Sequence, residues 1–154
     1  MNEFIFARTI HVLAIIFWIG GVAFVTLVVM PMLKAHEAPA ARLARFKQIE
    51  SGFAWQARIW VLLAGTSGFW MVWRADLWHR FVEPGYWWMH AMVAVWVIFA
   101  LMLFLIEAFH LNRRLVRSLS PELSFARMQR MHRVLLMLST IAVVGAVGGS
   151  HGMF

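Results

Sequence analysis

The chain contains no cysteine. Disulfides, thiolate metal sites, covalently attached c-type haem and thiol chemistry are excluded together. Charge is scarce as well: Asp, Glu, Lys and Arg make up 14% of the 154 residues, and only seven are acidic. Proline occurs four times, with Pro31, Pro84 and Pro121 standing where apolar runs stop or start. What remains is mostly apolar. The sequence is 62% hydrophobic with a mean hydropathy of +0.74, whereas an ordinary soluble domain is nearer half apolar.

Four long apolar stretches account for the excess. Crossing a bilayer takes roughly 20 apolar residues per helix, so four crossings use more than half the chain and leave little for a soluble domain. The expected fold is all-α: a four-helix transmembrane bundle forming one integral membrane domain over 1–154. Its helices are expected at about 4–33, 53–73, 86–114 and 121–149. The first run, Phe4 to Leu33, is too long for a signal-peptide core and is read as a retained helix. Pro31 and Lys34-Ala35-His36-Glu37 should end it. Residues 40–51 form a basic, amphipathic segment in which Leu43, Phe46 and Ile49 recur at helical spacing. Pro84-Gly85 signals a turn, and Ser120 before Pro121 is placed to cap the last helix.

The basic residues set the expected orientation. The connections after helices 1 and 3 hold eleven of the fourteen: Lys34, Arg42, Arg45, Lys47 and Arg58, then Arg113, Arg114, Arg117, Arg127, Arg130 and Arg133. By the positive-inside rule both connections face the cytoplasm and both termini lie on the outer side. This topological bias explains the +7 net charge without nucleic acid. A multi-pass protein of the bacterial plasma (inner) membrane is expected, with lipid as a constant partner and a homo-oligomer as one arrangement. Trp70, Trp73, Trp78, Tyr86, Trp87 and Trp88 cluster at the outer ends of helices 2 and 3, as an interfacial aromatic belt does. Gly20, Gly21, Gly65, Gly68, Gly145 and Gly148 mark close helix contacts; Gly20 and Gly21 could instead clear space for a flat ligand.

Four histidines fall at or near helix ends: His11, His90, His110 and His132. An imidazole within lipid is costly unless paired or bound, which makes each a site candidate. Facing helices of a bundle commonly hold haem iron this way. His11 lies roughly 10 Å along the axis from Phe4, and His90 roughly 4.5 Å from Trp87. The difference of about 6 Å is within the uncertainty of the helix starts, so both imidazoles can reach one iron in the outer half. Arg8, three residues before His11, is placed to meet a haem propionate. The alternative for either histidine is a hydrogen bond to a neighbour such as Thr66 or Ser67.

His110 and His132 fall near the inner face and form a second candidate pair, with Glu107 one turn from His110. His90 and His110 point about 200° apart on a straight helix, which argues against one core holding both. Eleven methionines, among them Met30-Pro31-Met32, could suit copper(I), although methionine in a membrane helix is more often packing.

Helix 1 reads His11, Trp18, Gly20-Gly21, a pattern H-x6-W-x-G-G, and helix 3 opens Trp88-Met89-His90 and closes Phe109-His110 before a basic run. Over nearly its whole length the chain resembles the superfamily of CopD-type copper-resistance membrane domains and HemJ-type protoporphyrinogen oxidases. The resemblance implies a four-helix membrane bundle with haem b at His11 and His90, and with Trp18 and Gly21 beside the cofactor. HemJ-type sequences carry a lysine two residues after the helix 3 histidine, where this chain has Met92, so the CopD-like branch fits better. Three functions follow: a b-type cytochrome passing single electrons, with a membrane quinol as partner and oxidoreductase activity in view; a copper transport or tolerance protein; or an assembly subunit without a cofactor.

Overall fold

A computed structural model describes residues 2–106 and 120–153. Helix dominates it, and no strand occurs among the described residues. Helix α1 spans Asn2–Phe24 and runs through a π-helical turn, Val25–Val29, into α2, Met30–His36. Helix α3 spans Pro39–Arg74. Two 3-10 turns, Leu77–Phe81 and Pro84–Tyr86, lead into α4, Trp87–Ala100, which continues as a π segment, Leu101–Ile106. Helix α5 spans Pro121–Ser150. Three stretches are long and apolar enough to cross a membrane: Glu3–His36, Pro84–Leu105 and Pro121–Ser150.

The first rod does not end at Pro31. Proline lacks an N–H, and its ring crowds the carbonyl four residues back. The π turn widens the helix just before it: the Met30 N–H reaches Val25 O, five residues back, and Pro31 then opens the first turn of α2. Thr26 closes another carbonyl through Oγ1 to Val22 O at 2.6 Å. Helix continues to His36, where Glu37 turns extended.

The second helix differs more. The basic segment 40–51 and the apolar segment beyond it form one unbroken rod of 36 residues, roughly 54 Å at 1.5 Å per residue and longer than a hydrocarbon core of about 30 Å. Nothing between Pro39 and Arg74 breaks a helix, since Gly52 has open space around it and Gly alone is tolerated. Gln56 and Arg58 also make this the least apolar of the four rods. Arg58, half-buried, points Nε at Leu103 O, 3.4 Å away in the π segment, where the irregular backbone presents a carbonyl to a neighbouring helix. The last helix begins as its sequence indicates: Ser120 Oγ accepts the Leu123 N–H at 3.3 Å.

The rods alternate in direction, so both chain ends and the turn between α3 and α4 share one end of the bundle. The main core joins Ala14, Trp18 and Val22 of α1 to Val61 and Ala64 of α3, Val95 and Phe99 of α4, and Leu135 and Ala142 of α5. A second cluster around Phe46, Met30 and Phe125 closes the end opposite the termini. Small residues let large ones in. Trp96 lies over Gly65, where a Cβ would come within 2.5 Å of the indole, and its Nε1 donates to Val61 O at 2.8 Å.

Candidate functional site

His11 points from α1 into α3. Nδ1 lies 2.8 Å from Ala64 O and 3.2 Å from Ser67 Oγ. A carbonyl can only accept, so Nδ1 carries the proton and Nε2 keeps the lone pair. Ser67 Oγ in turn donates to Leu63 O, which leaves its own lone pairs for the imidazole. The ring is seated where Gly68 has no side chain: a Cβ there would stand 3.0 Å from Cε1 and 3.3 Å from Nδ1. Helix α3 thus supplies both the orienting acceptors and the space. Nε2 makes no hydrogen bond among the described residues.

Trp18 follows His11 by seven residues, on the same stripe of α1 and roughly 10 Å along the axis, with Ala14 between them. It is 2% exposed and meets Phe99 edge-on at 5.0 Å. Its Nε1 is buried and finds no acceptor among the described residues. Buried indole N–H groups are normally paired. One stripe of α1 therefore presents an imidazole lone pair and an indole donor, both without a partner among the described residues.

His90 is placed differently. Trp88, Met92, Val95 and Phe99 form the face of α4 that packs into the bundle. His90 is two residues from both Trp88 and Met92, about 200° around the axis. It is exposed, and its ring stands edge-on to Phe81 at 5.4 Å. The contacts of Trp96 with Val61 and Gly65 set the level of α4 against α3. By that register His90 sits roughly 4.5 Å nearer the chain ends than the seat of His11. The two imidazoles thus have comparable depth but face different surroundings. Within one chain the two rings do not converge, and His11 is held through Nδ1 with its Nε2 lone pair unused among the described residues.

The remaining candidates separate in the same way. Arg8 is exposed, one turn from His11 towards the chain end. At Gly21 the space that a side chain would fill is taken by the ring of Phe53, so this glycine serves the contact between α1 and α3. His132 is bonded through Nδ1 to Met128 O at 3.0 Å, stands edge-on to Phe46 at 5.4 Å, and has Nε2 4.0 Å from Glu50 Oε1. His110, its proposed companion, and Glu107 lie outside the described residues. Met30 is fully buried while Met32 is half exposed. No group of three or more His, Asp or Glu side chains converges among the described residues.

Two features escaped the sequence. The Ala64 carbonyl has no sequence signal at all. The seat at Gly68 was visible only as a helix contact, and its pairing with His11 required the register of two helices. These observations define a helical bundle in which three stretches are long and apolar enough to cross a membrane, with an oriented histidine between its first two rods. Comparisons with protein-family models, with curated proteins and with solved structures find no match.

Proposed function

We propose that this is a haem b-binding integral membrane protein of the bacterial plasma membrane, in which His11 is the axial ligand. The observation that carries the reading is the lock on His11: Nδ1 is held by the Ala64 carbonyl, which leaves Nε2 as the donor nitrogen, the arrangement that second-shell acceptors impose on metal-binding imidazoles. Haem would supply one-electron redox chemistry there. The chain supplies the ligand, a low-dielectric surround, Arg8 as a cation for a propionate, and Trp18 as a buried donor. A quinol dissolved in the bilayer is the partner class that such a site serves.

The test is optical. Protein expressed with ample haem and purified in detergent should show a Soret band and a sharp reduced α band. His11→Ala should abolish them, and His36→Ala should not. Because His90 faces away from the bundle, His90→Ala should retain bound haem. A colourless wild-type protein, or a His11→Ala variant with an unchanged spectrum, refutes the reading. Loss of haem in His90→Ala as well would mean that the imidazole face of α4 turns towards α1 in the holoprotein.

A further inference from the structure

A second feature lies on another face, at the other end of the bundle, and does not depend on the haem reading. Between the π turn of the first rod and α5 runs a groove of about 430 Å³, open to the outside. Its walls are apolar: Leu27 on one side, Leu136, Met137 and Ile141 on the other. Arg133 stands at one end. Two more cations extend that end. Arg130 is one turn further along α5, and Lys34 is two turns beyond Leu27 on the antiparallel first rod; both are exposed. A shallow apolar groove with Arg133 at one end and two exposed cations beyond it fits an elongated amphiphile with an anionic head. Basic pockets between membrane helices take anionic lipid headgroups in this way. A quinone offers no charge for the arginines, and a zwitterionic lipid offers no net charge.

We infer that the groove between the first rod and α5 is a binding site for an anionic diacyl phospholipid, whose phosphate meets Arg133 and Arg130 and whose acyl chain lies along Leu27, Met137 and Ile141. The π turn contributes by bringing Thr26 and Leu27 to line the slot. Arg127 is the internal control: it is exposed, lies on the same helix at the same end, but sits about 120° around the axis from Arg133 and outside the groove.

The experiment is native mass spectrometry of the full chain released from micelles containing equal amounts of phosphatidylglycerol and phosphatidylcholine with matched acyl chains. Wild type is expected to retain phosphatidylglycerol in preference. Each of Arg133→Gln and Arg130→Gln should lower that preference about fivefold, in line with the roughly 1 kcal/mol that a basic residue contributes near an anionic headgroup, whereas Arg127→Gln should leave it unchanged. Thr140→Trp, which fills the slot and removes no charge, should lower retention of phosphatidylglycerol too. Circular dichroism confirms that each variant is folded before it is compared. Equal loss in Arg127→Gln would reduce the effect to general surface charge and overturn the site, as would full retention in Arg133→Gln or Thr140→Trp.

Discussion

The seat of His11 can be attacked without touching the histidine. At Gly68 a Cβ would stand 3.0 Å from Cε1 and 3.3 Å from Nδ1 of the imidazole. An alanine asks the ring to retreat by a few tenths of an ångström, and the 2.8 Å contact to Ala64 O has room to lengthen and survive. Alanine also recovers up to about 1 kcal/mol of helix propensity, so Gly68→Ala should be close to neutral. A leucine cannot be accommodated by tenths. The ring must leave, losing a hydrogen bond of about 0.6 kcal/mol, at most about 1.7, in a membrane interior. Overpacking adds about 1–3 kcal/mol, and the propensity gain of about 0.8 kcal/mol offsets part of it. Gly68→Leu should therefore destabilise by about 1–4 kcal/mol, taking these terms together. Gly52→Ala, where nothing lies within 4 Å, is the control and should stabilise slightly. Unfolding by SDS in mixed micelles, followed by tryptophan fluorescence, reads all three. On the haem reading, Gly68→Leu should also lose the Soret band although His11 is intact. A Gly68→Leu protein as stable as wild type, with an unchanged spectrum, would show that His11 does not sit against α3 as described.

Two further outcomes follow from the packing. Trp96→Phe keeps most of the ring over Gly65 and removes the donor to Val61 O; it should cost about 0.6–1.7 kcal/mol in the same titration, and Trp96→Ala about 3–5 kcal/mol. Ser120→Ala removes the cap on Leu123 N–H; it should cost about 0.5–2 kcal/mol, seen as faster amide exchange at 122–124 with the core of α5 unchanged.

The existence of four helices was legible because their apolar runs are long, and the start of α5 because Ser120-Pro121 is a local signal that tertiary structure left in place. Facing was harder. In a rod that is apolar on every side, periodicity does not say which side meets lipid and which meets protein. His90 illustrates this: its level could be counted from Trp87, but its direction follows only once Trp88, Met92, Val95 and Phe99 are known to be the packed face. The π turn escaped for a different reason. Pro31 is a genuine break signal, yet inside a bundle the neighbouring rods hold the helix together, and one wide turn is enough to pass the proline.

Helix α3 shows why its low hydropathy is no obstacle to a central place. Trp55, Leu62, Phe69 and Trp73 recur along one side and are exposed. Ala57, Val61, Ala64, Gly65 and Gly68 occupy a stripe about 120° away, against α1 and α4. Large side chains outside and small ones inside invert the pattern of a water-soluble helix, where burying large apolar groups drives packing. In lipid that drive is absent and close backbone approach takes its place. The same small stripe that lets the rods approach also exposes the Ala64 carbonyl to a side chain on α1. Packing and site are thus one feature of α3: the residues that bring α1 near are those that orient His11, and a variant that spreads the two rods must disturb both.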